Sequence, residues 1–330
     1  MIKTLDLFCG CGGLSLGFQE AGFEILKSFD NWDKAVDIYN KNFTHKAELI
    51  DAYDLTPDAL NSYSPDIIIG GPPCQDYSSA GKQDESLGRA NLTIRYAELV
   101  CAVKPNWFVM ENVDRIIKSK TLPKALSMFR DAGYGLSQII LDASLCGVPQ
   151  KRKRFFLIGH LCDTDDFLSA SLNNDLAPKS MTVREYLGDE FQTDFYYRHP
   201  RSYARRGIFS IDEPSPTIRG VNRPIPPSYE FHAGDATNDL SKVRPLTTKE
   251  RARIQTFPKS FIFDGGKTDL EQMIGNAVPV NLARYVAVHL LNYIEKPPSL
   301  GVHTCRPGTA ATNATGEVCV QQGTIKVLDS

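Results

Sequence analysis

The 330-residue sequence contains no apolar run approaching the ~20 residues that a helix needs to cross a bilayer, so no membrane partner is expected. Its first residues, Met1-Ile2-Lys3-Thr4-Leu5-Asp6, lack the long apolar stretch of a secretory leader, and a cytoplasmic location is expected. Paired cysteines are also missing. The eight cysteines (9, 11, 74, 101, 146, 162, 305 and 319) form no C-x-x-C pair with zinc-ligand spacing, and no metal is expected. Without a secreted context their even number does not argue for disulfides. Cys9-x-Cys11 comes nearest to a metal pair, but it sits in a Gly-rich turn without nearby histidines and reads as two small buried residues. Strong net charge is absent too. A formal charge of −2 does not by itself announce a nucleic-acid binder, and no internal repeat points to a solenoid.

What is present is local. Between Tyr196 and Arg223 stand six arginines (198, 201, 205, 206, 219 and 223) against two acids, Asp212 and Glu213, and Lys151-Arg152-Lys153-Arg154 forms a second basic cluster. Such clusters bind phosphate in some proteins and are merely solvated faces in most. Over the first 160 residues, β-rich runs at 2–8, 24–29, 66–69, 107–110, 137–141 and 155–158 alternate with helical spacing at 14–21 and 34–42. A third strand is expected before Asp51. Alternation of this kind predicts an α/β fold, a largely parallel sheet with helices on both faces, with chemistry at the carboxyl ends of the strands. From about Asp163 to Arg244 the pattern gives way to Pro, Arg, Ser, Asn and Asp, and helical spacing resumes at 247–256 and 280–294. The expected organisation is therefore a first domain of residues 1–165 and 272–295, a smaller loop-rich domain with its hinge at 166–271, and a mobile tail at 296–330.

Several strand ends carry chemistry. The first runs into Asp6-Leu7-Phe8-Cys9-Gly10-Cys11-Gly12-Gly13 and a helix, where glycines permit a tight turn and close approach of a ligand. Acidic residues follow the second and third strands at Asp30, Asp33 and Asp51; a polar group after the second strand commonly holds a ribose, and helix N-capping is the ordinary alternative. The fourth strand delivers Gly70-Gly71-Pro72-Pro73-Cys74-Gln75, which presents a thiol to the cleft. Such a thiol is only a few per cent ionised at neutral pH, yet is a strong nucleophile. The polar stretch 78–91, with Gly81 and Gly88, is long enough for a lid. The fifth strand ends in Glu111, a carboxylate costly to bury unless paired or used. Gln150-x-Arg152-x-Arg154 then enters the next strand, with both arginines expected on one face.

Together with Arg253-x-Gln255-x-Phe257-Pro258 and Gly275-Asn276-Ala277-Val278-Pro279, these segments resemble, in order and spacing, the bacterial DNA cytosine-5 methyltransferases of restriction-modification systems. The likeness covers about residues 1–160 and 244–295, and Pro216-Thr217-Ile218 resembles the threonine-aliphatic signature of the family's target-recognition region. The resemblance implies a Rossmann-like methyltransferase sheet and transfer of a methyl group from S-adenosylmethionine to C5 of cytosine, leaving S-adenosylhomocysteine. Cys74, Glu111, Arg152 and Arg154 would be catalytic. Phe8, Gly10, Gly12, Gly13, Asn31, Trp32, Asp51, Pro73, Leu92, Asn276 and Ala277 would hold the cofactor. Asn31 departs from the family's usual glutamate, which implies a weaker hold on the ribose. Gln75, Ser78, Lys82, Arg89, Arg205, Arg206, Thr217, Arg219 and Arg223 would meet duplex DNA. A monomer is expected, in company with a cognate restriction endonuclease. RNA methylation on the same scaffold is the nearest rival, although the Cys-Phe-Thr segment of the tRNA-modifying branch does not occur.

Overall fold

The computed structural model describes residues 1–73, 91–200, 202 and 205–296. Its frame is an alternation of strand and helix: β1 (Lys3–Leu7), α1 (Gly13–Glu20), β2 (Glu24–Asp30), α2 (Asp33–Asn42), β3 (Ala47–Leu49), α3 (Pro57–Asn61), β4 (Ile67–Gly70), α4 (Asn91–Val103), β5 (Trp107–Val113), α5 (Thr121–Asp131) and β6 (Tyr134–Asp142). A two-residue β7 (Gln150–Lys151) precedes the long β8 (Lys153–Leu161). Seven strands form one sheet in the order β3-β2-β1-β4-β5-β8-β6. They run parallel from β3 to β5, and β8 is antiparallel to both β5 and β6. The order reverses between β1 and β4, which opens a crevice at their carboxyl ends.

Burial explains why these stretches are strands. In a sheet covered on both sides, each strand must be apolar on both faces, and Ile67-Ile68-Ile69 and Trp107-Phe108-Val109-Met110 satisfy that. Ile67, Ile69, Val109, Phe156 and Ile158 pack on one side with Leu14, Phe18, Val286 and Leu290. Ile68, Phe108, Met110, Phe155 and Leu157 pack on the other with Tyr96, Val100 and Phe129. Alternate residues of one strand thus serve opposite layers.

Residues 166–271 are not all loop. They form α6 (Ser169–Asn174), α7 (Val183–Leu187), β9 (Phe195–Tyr197), β10 (Ile208–Ser210), β11 (Ser215–Pro216), β12 (Val243–Pro245) and α8 (Thr248–Ile254), and α9 (Lys267–Asn276) begins there. Capping boxes start α7 (Thr182 with Glu185) and α8 (Thr247 with Glu250), each satisfying otherwise open amides of a short helix. β9, β10 and β12 make a small second sheet, and β11 pairs in parallel with β7. An apolar cluster of Val183, Phe191, Tyr196, Phe209, Ile218, Ile254, Phe257, Ile274 and Val280 binds this region to α9 and to the final helix, α10 (Val280–Glu295).

α10 returns to cover α1. A Cβ on Gly17 would lie 2.6 Å from the Val280 carbonyl and 2.5 Å from the Ala283 Cβ, so only glycine allows the two helices to meet there. No helix among the described residues is long and apolar enough to cross a membrane.

Candidate active site

The turn after β1 is held open by its own backbone. Phe8, Gly10 and Gly12 all have positive φ (64°, 52° and 99°), and a Cβ on Gly10 would meet nothing within 4 Å. Asp30, at the end of β2, accepts from the amides of Gly10 (2.7 Å) and Trp32 (2.9 Å). Burial raises its carboxyl pKa while these amides and that of Asn31 lower it. Asp30 therefore fixes the turn. Neither expected acid caps α2 as a side chain: the N-cap residue is Trp32, without a side-chain bond, and Asp33 accepts from the next amide, Lys34.

Asn31 is exposed and donates to Asp51 (3.3 Å), bringing the polar stations after β2 and β3 together. Phe8 and Trp32 are half-buried, and Gly13 abuts the Val278 carbonyl, 2.2 Å from where a Cβ would stand. The turn after β1 and the turn before α10 are thus in contact. Asn276 accepts from Gln272 (3.0 Å), and Ala277 lies partly buried beside it. Open space over Gly10, aromatic rings at Phe8 and Trp32, and the Asn31–Asp51 amide–carboxylate pair fit an adenosyl ligand with ribose hydroxyls. Pro73 and Leu92 are described and partly exposed.

Beneath the turn is a carboxyl group that the motif reading did not interpret. Asp6 is fully buried; one oxygen accepts from Ser15, and Oδ1 has no hydrogen-bond partner among the described residues. The chain continues from Tyr39 OH to Ser15 Oγ (2.8 Å), and the same hydroxyl meets Ser28 Oγ (2.7 Å) and His45 Nε2 (2.8 Å). Burial pushes the Asp6 carboxyl up to about 8. Cys9 and Cys11 are buried as expected, and burial raises the Cys11 thiol to about 12. No metal-binding group occurs among the described residues.

At the ends of β5 and β8 stands an ion pair. Arg154 Nε donates to Glu111 Oε1 at 2.9 Å, with both side chains about a tenth exposed. The antiparallel register puts Val113 opposite Arg154, which brings the guanidinium over the end of β5. Burial pushes the Glu111 carboxyl up, and the charges of Arg154 and Arg152 pull it down. Directly above it lies the loop from β4: a Cβ on Gly71 would come 3.1 Å from Glu111 Oε2, and Asn112 donates to the Pro72 carbonyl at 3.0 Å. The sequence pattern gave no role to Asn112, which directly follows Glu111. Cys74, Gln75, Ser78, Lys82 and Arg89 lie outside the described residues, as does the expected lid except for Asn91, which begins α4.

The second arginine expected to be catalytic is engaged differently from Arg154. Arg152 lies between β7 and β8, 2% exposed, and donates to the carbonyls of Ile218 (2.9 Å), Gly275 (2.9 Å) and Ala277 (3.0 Å). The guanidinium is bound to main chain rather than presented to the crevice.

The arginines of the 198–223 cluster also divide. Arg206 pairs with Glu213 and lies over the Phe209 ring at 4.4 Å. Arg198 donates to the Thr217 carbonyl (2.8 Å), and Arg219 donates to the His199 carbonyl. The Thr217 hydroxyl donates to the Lys151 carbonyl (2.8 Å). Arg205 and Arg223 are exposed, and Arg205 lines an open cavity with Pro200 and Tyr229. Arg201 lies outside the described residues.

Comparison with known proteins decides the family. The C-5 cytosine-specific DNA methylase family matches residues 2–292. The chain belongs to that family. Among curated relatives, it is 60% identical to the Type II methyltransferase M.HindV of Haemophilus influenzae over 299 residues, 90% of this chain and 98% of that protein. It is 57% identical to the Type II methyltransferase M.HgiDI of Herpetosiphon aurantiacus, over 90% of this chain and 96% of that one. Solved structures share the fold at lower identity. The S. pombe Dnmt2 methyltransferase has a TM-score of 0.69 at 19% identity, covering 90% of this chain and 100% of its own. The Entamoeba histolytica methyltransferase EhMeth has a TM-score of 0.67 at 18% identity, covering 90% and 99%. This member of the C-5 cytosine-specific DNA methylases is accordingly a DNA cytosine-5 methyltransferase, and its sheet is the methyltransferase sheet expected from the strand pattern.

Proposed function

We propose that this methylase transfers a methyl group from S-adenosylmethionine to C5 of a flipped-out cytosine in a specific short duplex site, through a covalent bond between Cys74 and C6. The observation that carries the reading is the buried Glu111–Arg154 pair under the Gly71-Pro72-Pro73 loop, one residue before Cys74. S-adenosylmethionine, when bound, supplies an electrophilic methyl and leaves as S-adenosylhomocysteine. Phe8, Gly10, Gly12, Gly13, Asn31, Trp32, Asp51, Pro73, Leu92, Asn276 and Ala277 would hold it.

The cytosine ring needs help because C5 is too electron-poor to take a methyl group unaided. The Cys74 thiolate forms a bond to C6, and the displaced ring electrons make C5 nucleophilic. Glu111, its carboxyl raised by burial, holds the proton at N3 as charge develops there, and Arg154 steadies both Glu111 and the base O2. C5 takes the methyl group, a base removes the C5 proton, and the C6–sulfur bond breaks to release Cys74. Because C6 is unreachable inside a stacked duplex, the cytosine must leave the helix, at a cost of a few kcal/mol.

Residues 1–165 and 272–295 would form the catalytic, cofactor-binding part, and 166–271 the recognition part. The similarity to Type II methyltransferases supports a role in a restriction-modification system, and we further propose a monomeric cytoplasmic enzyme that protects host DNA beside a restriction endonuclease. Transfer of labelled methyl to duplex DNA, with tRNA as the competing substrate, tests the reading, and methylome sequencing gives the site. Duplexes carrying 5-fluorocytosine at that site should trap the wild-type protein covalently and leave Cys74→Ser free. Transfer confined to tRNA, or trapping of the serine variant, would overturn it.

The arginine geometry sharpens the recognition part. Arg205→Ala and Arg223→Ala are expected either to relax one position of the site about five- to hundred-fold or to lower the salt slope of binding by about one ion. Arg206→Ala should leave the site profile alone and lower the melting temperature, because its charge is paired with Glu213 and packed on Phe209. Binding to randomised duplexes at two salt concentrations separates these outcomes. A changed profile in Arg206→Ala alone would reverse the assignment.

A further inference from the structure

One buried guanidinium touches two segments that the proposed function keeps apart. Arg152 Nη1 donates to Ile218, in the recognition region, while Nη2 donates to Gly275 and Ala277, in the turn assigned to the cofactor. A second connection runs beside it. The Ile218 amide donates to Gln150 Oε1 (2.8 Å), Gln150 Nε2 donates to Gln255 Oε1 (2.7 Å), and Gln255 Nε2 donates to the carbonyls of Ile274 (2.6 Å) and Ala277 (3.0 Å). Gln150 and Gln255 are completely buried.

The same two segments are pressed together without intervening side chains. A Cβ on Gly275 would stand 2.3 Å from the Arg219 carbonyl carbon and from the Gly220 nitrogen, and one on Gly220 would stand 2.3 Å from the Gln272 side chain. Further along, Arg251 of α8 donates to the carbonyls of Arg219 and Val221 and pairs with Glu271 of α9, which also accepts from Asn222 (3.2 Å). Residues 218–222 are therefore tied to α9 and its final turn by buried and part-buried hydrogen bonds, some of them through Arg152 and Arg251. Such contacts are lost as a set rather than stretched, because a buried polar group left without its partner is costly.

We infer that Arg152 and the Gln150–Gln255 pair are positioning residues that couple the cofactor turn to the recognition segment, so that discrimination between DNA sequences rises when the cofactor site is filled. The inference rests on the proposed function, since it takes the 275–277 turn as a cofactor contact and 217–222 as part of the DNA reader. It moves Arg152 from the reaction to the setting of specificity. A ligand that orders the turn orders the segment joined to it, and by linkage the correct DNA tightens the cofactor site by the same factor. A coupling of ordinary size corresponds to about 5–150-fold.

The test uses the full-length protein, S-adenosylhomocysteine as probe, a duplex carrying the site found by methylome sequencing, and a duplex with one base pair of that site changed. In the wild-type protein, S-adenosylhomocysteine should raise the affinity ratio between the two duplexes by about tenfold, and the site duplex should tighten S-adenosylhomocysteine equally. Arg152→Lys keeps the charge but loses the planar fork that reaches both segments, and should reduce that effect to less than about threefold. Its affinity for S-adenosylhomocysteine without DNA should stay within about threefold of wild type. If Arg152→Lys does not fold, the double variant Gln150→Met/Gln255→Met breaks the parallel connection and carries the same expectation. A wild-type ratio unchanged by S-adenosylhomocysteine would overturn the coupling. So would an Arg152→Lys protein that keeps the full effect and loses only kcat, equally on all sites, since Arg152 would then act on the reacting base. Absence of any methylated DNA site would instead refute the proposed function beneath it.

Discussion

Glu111→Gln is expected to lower kcat by about 10²–10³-fold, the usual effect of losing one group aimed at developing charge. It should also destabilise the fold, because Arg154 would remain buried without its carboxylate, and breaking a buried pair costs about 3–5 kcal/mol. The two losses have separate causes and can be separated. In Glu111→Leu/Arg154→Met both charges are gone and the volume is roughly kept, so stability should return to within about 1–2 kcal/mol of wild type. Activity should not return. Urea unfolding and single-turnover methyl transfer on both variants decide the matter. If the double variant regained measurable transfer, the ion pair would be a structural device and the proton at N3 would come from elsewhere.

Asp6 gives the second large effect, and it is one of pH. Its carboxyl is raised to about 8 in the fold, against about 3.9 for an unperturbed aspartate. Between those values the unfolded chain has lost the proton that the folded chain keeps. Stability contributed by this group therefore falls as pH rises, by at most about 1.4 kcal/mol per pH unit. Asp6→Asn removes the titration and keeps a neutral side chain of the same shape. Its stability relative to wild type should climb between pH 5 and pH 8, by a few kcal/mol over the window. Parallel curves for the two proteins in urea unfolding at four pH values would show that Asp6 is ionised in the fold and that its partners stabilise the charge.

How much of this was readable in advance follows from the range of the forces involved. The strands expected at 66–69 and 107–110 were legible because burial on both faces writes itself as an apolar run, Ile67–Ile69 and Trp107–Met110. β3 was not placed residue by residue: Glu48 and Leu49 are exposed, so its three residues carry no such signal. In the recognition region, β9 to β12 have two or three residues each, too few for a period to show. Glu111 and Arg154 were visible as members of motifs, one near the end of β5 and the other near the start of β8, although their pairing was not. The role of Arg152 was hidden. Its acceptors are carbonyls 66 to 125 residues away, and a main-chain oxygen leaves no mark in a sequence. The task of Asp30, which was expected to hold a ribose or cap a helix, and that of Asn112 escaped for a related reason, each holding backbone rather than presenting a functional group.

The return of α10 onto α1 has a consequence for the order of biosynthesis. Leu14 and Phe18 acquire Val286 and Leu290 as neighbours only after Val280–Glu295 has been made, tens of seconds later at about 5–20 residues per second. Until then the nascent chain can lay β1 beside β4, but one side of that sheet stays wet and apolar. Completion of the earliest segment thus waits on the latest, and the intervening recognition region emerges into a half-covered partner. In a vectorially made chain of this topology the side of the sheet under α10 is therefore closed last, after the opposite layer, which needs only residues up to Leu161.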